Sequence, residues 1–140
     1  MKRKLLFLLL LVLVSIPLYA REVYPVEVVV YSKSKTTIGN NFVYLIKEQI
    51  RQASNLELAD SGPRMVISIS IISYDPRQPE HTIIFGITWL FQDDRSIYPT
   101  FLDSMIGYTR HDAVNAAALG VISATDKVIE DINKWKKILN

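Results

Sequence analysis

The chain has 140 residues with 16 basic and 14 acidic side chains, a formal net charge of +2, and no cysteine. Because cysteine is absent, disulfide bonds, thiol catalysis and thiolate metal sites are excluded. With two histidines, His81 and His111, the chain also lacks the ligands for a multi-histidine zinc site.

The beginning of the chain has the order of an export signal. A basic head, residues 2–4, precedes an unbroken apolar run, residues 5–14, and a short proline-containing segment that ends on Ala20. This order predicts a signal peptide, residues 1–20, that is cleaved to leave a single domain, residues 21–140. An uncleaved anchor is the alternative, although a spanning helix needs about 20 apolar residues. No cysteine follows the run, so we expect an exported protein, periplasmic or secreted, that is not a lipoprotein.

The leader also accounts for the apparent basicity of the chain. It contains three basic residues and no acid, so its removal changes the formal charge from +2 to −1. A near-neutral domain lacks the basic stripe that binds nucleic acid. We therefore expect no nucleic-acid partner.

The first half of the domain changes from a strand pattern to a helix pattern. Residues 26–31 are β-branched and predict a strand, followed by a polar turn. Apolar side chains then recur at helical spacing over residues 42–53, and Asn40 or Asn41 can cap the first turn. Leu56–Leu58 alternates and predicts a brief strand.

The second half predicts three more strands. Residues 65–74 and 82–92 alternate apolar and polar side chains, which is typical of strands with one buried face. A third strand occupies part of residues 98–108, with interruptions near Pro99 and near Asp103.

A long helix closes the chain. Apolar side chains recur at spacings of three and four over residues 112–139, and this stripe includes Thr125 and Trp135. Thr109 with Asp112 predicts a capping box at its start. The order β-α-(β)-β-β-β-α predicts an α+β fold, a two-layer sandwich of a mostly antiparallel sheet with both helices on one face.

The sheet face away from the helices is the first candidate binding surface. Its predicted side chains are small and polar, apart from Ile72, Ile84 and Leu90. Such a face is either solvated or docks a protein partner. The candidate partner-binding residues are Glu27, Ser68, Ser70, Thr82 and Thr88.

The C-terminal segment is the second candidate surface. Lys134, Trp135, Lys136 and Lys137 combine an interfacial aromatic residue with cations. They predict a peripheral contact with a membrane or a partner. The favoured interpretation is that Trp135, as part of the apolar stripe, packs against the edge of the sheet.

Residues with catalytic potential do not form a complete motif. His111–Asp112 could serve a nucleophile such as Ser104 or Ser123, but no glycine-flanked serine elbow is present. His81 lies next to a proline loop with acids. We favour a capping role at the helix start for His111–Asp112 and a surface loop for His81, and predict no catalytic residue.

The paired acids Asp93–Asp94, with Asp103, could hold a hard cation through oxygen ligands. Paired aspartates are also common in turns, and no calcium-binding loop motif is present. We therefore predict no metal site and no cofactor.

The first half of the domain resembles small exported bacterial proteins of an uncharacterised family. The resemblance rests on an amphipathic helix that ends in Ser54–Asp60 and is followed by the strand of residues 65–74. The same order is similar to the accessory domains of envelope assembly proteins, such as the N-terminal domain of the TolB translocation protein. The resemblance covers the first half of the domain. It implies a binding module without catalytic residues.

The favoured hypothesis is a non-catalytic periplasmic or secreted module that binds a protein partner through its open sheet face or an edge strand. The alternatives are a small envelope hydrolase that uses His111 or His81, and a membrane-associated protein with an uncleaved signal anchor.

Overall fold

The computed structural model describes residues 22–32, 36–74 and 81–139. The predicted signal peptide, residues 1–20, lies outside the described residues. So does the loop of residues 75–80. The elements are β1 (Tyr24–Ser32), α1 (Thr37–Gln52), β2 (Leu56–Leu58), β3 (Arg64–Ser73), β4 (Thr82–Gln92), β5 (Thr100–Arg110), a 3₁₀ turn (His111–Ala113) and α2 (Val114–Leu139).

The strands form one five-stranded sheet in the order β2-β1-β3-β4-β5. The long pairs β3–β4 and β4–β5 are antiparallel, whereas β1 runs parallel to both β2 and β3. Parallel neighbours need a crossover, and α1 supplies it. The predicted α+β sandwich is confirmed, with a sheet that is mostly antiparallel and helices on one side.

The core lies between the helices and one face of the sheet. Alternate residues of β3 and β4 point into it, as their period of two predicts. Phe42 of α1 stacks on Phe85 of β4 with ring centroids 4.6 Å apart. The largest fully buried side chains are Trp89, Phe42, Ile38, Ile46, Ile50, Ile67, Ile69, Ile71, Ile83, Ile87, Val26 and Val121.

Helix α1 begins earlier than the sequence predicts. The buried Thr36 is its N-cap, and the Thr36 hydroxyl accepts a hydrogen bond from the Gly39 amide at 3.0 Å. Asn40 and Asn41 lie inside the helix and are exposed, so the predicted asparagine cap is wrong. The polar composition of this segment concealed a helical turn whose Ile38 is buried.

Strand β5 is continuous over 11 residues instead of interrupted near Asp103. The irregularity predicted there is a β-bulge, because Trp89 pairs with Asp103 while Leu90 pairs with Phe101. Leu102 is the extra residue. A bulge shifts the alternation by one residue and preserves the pairing on both sides.

The predicted capping box at Thr109 is also wrong. Thr109 is the buried penultimate residue of β5, and its hydroxyl donates to the Arg110 carbonyl at 3.2 Å. The 3₁₀ turn begins without a side-chain cap. The carboxylate of Asp112 instead pairs with Arg110, at 3.1 Å.

Candidate docking surface on the open sheet face

The face of the sheet opposite the helices, here called the open face, carries the predicted polar residues. Strand register places Ser68 beside Thr88, and Thr88 beside Ser104. Ser70 lies between Tyr31 and Gly86 in the next row. The centre of the open face is therefore a strip of small polar side chains, as predicted.

One end of the open face differs from the prediction because it is apolar. A cavity of about 570 Å³ is lined by Tyr74, Ile84, Ile106 and Tyr108, here called the open-face patch. The exposed fractions of Ile106 and Tyr108 are 83% and 75%. Thr82, a predicted contact residue, joins this lining together with Gly107 and Arg110. Large apolar side chains that are exposed together occur at interaction sites, in ligand-binding grooves and on aggregation-prone surfaces.

Sequence reasoning missed Ile106 and Tyr108 because the face of each β5 residue depends on the bulge. Phe101 pairs with Leu90 on the open face, but beyond the bulge it is Ser104 that pairs with Thr88 there. Phe101 before the bulge therefore lies on the same face as Ser104, Ile106 and Tyr108 after it. The register of β5 against β4 is the signal that shows which β5 side chains lie on the open face.

Strand β5 is the edge of the sheet next to the open-face patch. Within the described part of the chain, no strand pairs with its outer side. Natural edge strands are usually protected by lysine, proline or strong bulges. Residues 101–109 contain neither lysine nor proline, and the bulge lies near the other end of the strand from Ile106. The edge beside the patch therefore carries neither of these two protective residue types.

Glu27, another predicted contact residue, is already engaged within the domain. Its carboxylate accepts a hydrogen bond from Arg64 Nε at 2.6 Å, and both side chains are partly buried. Arg64 also donates to the Gly62 carbonyl at 2.8 Å. This pair joins β1 to the start of β3, so Glu27 has a structural partner.

The histidines are exposed and lie apart from the candidate nucleophiles. His111 borders a depression with Asn40, Asn41 and Tyr44 on α1, and that lining contains neither serine nor acid. The neighbouring acid, Asp112, pairs with Arg110 instead of orienting His111. A hydrolytic triad needs a serine hydrogen-bonded to a histidine that is itself hydrogen-bonded to an acid. The described surroundings of His111 do not supply this arrangement.

The acidic residues are spread over the turn and the edge strand. Asp93 Oδ1 accepts the Arg95 amide at 3.1 Å, which is the turn role that paired aspartates often have. Asp103 lies within β5. Among residues 22–32, 36–74 and 81–139, no group of three potential metal ligands is present.

Within the same residues, no helix has both the length and the hydropathy needed to cross a membrane.

The C-terminal candidates occupy the last turns of α2. Trp135 is 65% exposed, so it does not continue the buried stripe as its spacing suggests. Lys134 Nζ lies 2.8 Å from Glu130 Oε1 and 3.4 Å from Asp131 Oδ1. The hydrogen bond and charge of Glu130 raise the pKa of Lys134 above its ordinary value. The helix backbone continues through the predicted contact residues Lys136 and Lys137.

No protein-family model and no curated protein sequence matches the chain. Among solved structures, a hypothetical protein from Chlamydia trachomatis aligns with 61% of this chain and 69% of its own, at 12% identity and a TM-score of 0.41. A PelC dodecamer from Paraburkholderia phytofirmans aligns over 73% and 82%, at 15% identity and a TM-score of 0.41. The rare lipoprotein B from Shewanella oneidensis aligns over 81% and 98%, at 12% identity and a TM-score of 0.29.

These solved structures thus include a lipoprotein, whereas this chain contains no cysteine. At TM-scores of 0.41 or lower, we transfer no partner and no activity from them. The resemblance to the TolB domain stays a prediction.

Proposed function

We propose that this protein is a non-catalytic interaction module of the cell envelope that binds an extended segment of a protein partner along β5. The observation that carries the proposal is the open-face patch, which lies directly beside the free edge of an 11-residue strand. The export-signal pattern of residues 1–20 supports the envelope compartment.

The edge and the patch favour a peptide strand as the occupant. An added strand pairs its main chain with β5 and projects every second side chain over the open face. Ile106 and Tyr108 stand two residues apart on that face, so they can contact alternate side chains of the added strand. A partner with apolar residues at a period of two fits both features at once.

The partner contact can be tested with a photo-crosslinking residue introduced at position 106 in the native host. We expect an adduct of one reproducible mass from position 106 and none from position 44, since Tyr44 is exposed on α1 in the helical layer. In a variant that carries both the crosslinker at position 106 and Tyr108→Lys, the yield of the adduct should fall by about tenfold, because a charged residue would be buried in the contact.

Tyr44→Lys is the matched control for Tyr108→Lys, because it places the same charge on the helical layer. An adduct at position 44 as strong as at position 106, or an adduct unaffected by Tyr108→Lys, would overturn the proposal. Thermal unfolding of each variant verifies that the fold is intact.

The absence of catalysis is part of the proposal and has its own test. His81→Ala combined with His111→Ala should leave any native phenotype of the gene unchanged, because the lining around His111 contains neither serine nor acid. Both side chains are exposed, so the substitutions should leave the fold intact. Loss of that phenotype with an unchanged melting temperature would favour the hydrolase alternative.

A further inference from the structure

A second apolar surface lies at the end of the domain opposite the open-face patch. Its most exposed members are Ile97, Tyr98, Phe101 and Trp135, here called the aromatic end. The first two have exposed fractions of 89% and 79%. They belong to the turn between β4 and β5, while Trp135 comes from the last turns of α2.

A shared depression joins Phe101 to Trp135, and Ile97 and Tyr98 lie in the turn that leads into β5 at the same end of the domain. Phe101 and Trp135 line the same depression of about 260 Å³, together with Leu102 and Ile132. Leu102 and Ile132 also line a neighbouring depression of about 370 Å³ that contains Val23. The apolar surface therefore extends from β5 across α2 to the residues that precede β1.

The turn that displays Ile97 and Tyr98 is held in place by hydrogen bonds. The Ser96 amide donates to the Asp93 carbonyl at 3.0 Å, and the Ser96 hydroxyl donates to the Tyr98 carbonyl at 2.6 Å. The side-chain amide of Gln92 donates to the carbonyls of Asp93 and Ser96, each at 3.0 Å. An ordered turn thus presents two large apolar side chains to solvent.

We infer that the aromatic end is a membrane-contact surface that inserts into the interfacial layer of a phospholipid bilayer. Tryptophan and tyrosine concentrate at that layer because their rings are apolar and their N–H and O–H groups stay hydrated. The isoleucine and phenylalanine supply the apolar area that drives adsorption.

The position of the leader in the chain favours a bilayer as the occupant. The apolar run ends at Val14, and eight residues, 15–22, separate it from Val23 of the aromatic end. Eight residues span at most about 29 Å when fully extended. A leader that stays in the membrane would therefore hold Val23, and with it this end of the domain, within that distance of the lipid.

The charges around the aromatic end favour apolar insertion over electrostatic attraction. Lys134 is paired with Glu130 and Asp131, and Asp103 lines the same depression as Trp135. Among the side chains that the structure describes at this end, both signs of charge are present, with Arg95 on the turn. Binding should therefore change by less than about threefold when anionic lipid is added to zwitterionic vesicles.

The fluorescence of Trp135 provides a direct test with the full exported protein. On phosphatidylcholine vesicles, we expect its emission to shift to the blue and to be quenched by brominated acyl chains. Trp89 is buried in the core and should not respond. Trp135→Phe should therefore abolish both changes, and unchanged emission in the native protein would overturn the inference.

Vesicle flotation with matched variants tests the surface itself. The combined change Ile97→Ser, Tyr98→Ser and Phe101→Ser should lower the bound fraction by about tenfold or more, because it removes apolar area from the interface. The control Tyr74→Ser, Ile106→Ser and Tyr108→Ser removes similar side chains at the opposite end and should change it less than twofold (about 0.4 kcal/mol).

Equal losses in the two triple variants would overturn the inference, because adsorption would then lack a preferred end. A protein adduct at position 98 without vesicle binding would also overturn it and would assign the aromatic end to a protein contact. Melting temperatures identify a variant that fails to fold, in which case Trp135 quenching in the native protein decides. This surface is independent of the proposed function, which depends on β5 and the open-face patch.

Discussion

At the residue scale, a buried polar contact links β4 to the long helix α2. Trp89 Nε1 donates to Thr125 Oγ1 at 2.9 Å, and the Thr125 hydroxyl donates to the Val121 carbonyl at 2.8 Å. Both side chains are almost completely buried. Thr125 therefore occupies an apolar stripe without leaving its hydroxyl or the indole N–H unsatisfied.

Thr125→Val should destabilise the protein by about 1–3 kcal/mol, because it leaves the buried Trp89 N–H without an acceptor. Urea unfolding measures the change. In a Trp89→Phe background the same substitution should cost clearly less, since the donor is already gone. Equal costs in the two backgrounds would show that the hydrogen bond is not the origin of the effect.

At the element scale, a glycine allows β4 and the core aromatics to pack against β5. A Cβ added at Gly107 would lie 2.5 Å from Phe85 Cζ, and Phe85 is held by its contact with Phe42. A Cβ at Gly86, on the open face of β4, would have Ser70 Cβ as its nearest neighbour, at 4.0 Å. The two strand glycines therefore have different roles.

Gly107→Ala should destabilise the protein by about 1–3 kcal/mol, because the Phe85 ring would have to move within a packed core. Gly86→Ala is the matched control and should stabilise it by about 0.5 kcal/mol, because alanine loses less backbone entropy on folding than glycine. Chemical denaturation of both variants checks the signs. Destabilisation by Gly86→Ala as large as by Gly107→Ala would contradict this account.

At the scale of the whole molecule, Tyr24 connects the first strand with the last helix. Its hydroxyl lies 2.6 Å from Asn133 Oδ1 and 3.0 Å from Glu22 Oε2. Burial raises the pKa of Tyr24 above its ordinary value, and the Glu22 carboxylate, which accepts from the neutral hydroxyl, reinforces the shift. The neutral hydroxyl is thus the form that the folded state favours.

Because the pKa of Tyr24 is raised in the folded state, its neutral hydroxyl adds to the free energy of unfolding at every pH below the unfolded pKa. This stabilisation is lost as the pH rises through the folded pKa. The stability difference between the native protein and Tyr24→Phe should therefore be constant below about pH 9 and shrink as the pH rises above about 10, the ordinary pKa of tyrosine. Urea unfolding at several pH values measures it. Tyr44→Phe, at an exposed position, is the control, and a difference for Tyr24→Phe that does not depend on pH would contradict the argument.

Local patterns of the sequence determined the kinds of elements and most of the core. The alternation in β3 and β4 and the helical spacing in α1 and α2 predicted the buried faces, because periodicity is a property of consecutive residues. The same reasoning failed at Thr36 and Thr109, where a threonine in a polar segment can cap a helix or end a strand. Which of these occurs depends on burial against other elements.

The tertiary structure alone decided the two candidate surfaces. Because β1 lies between β2 and β3, β5 stays at the edge of the sheet, and the bulge at Leu102 places Ile106 and Tyr108 on the open face. Phe101 and Trp135 are separated by more than thirty residues and meet only because α2 returns along the sheet. A sequence specifies such contacts through packing between distant segments, and no local period encodes them.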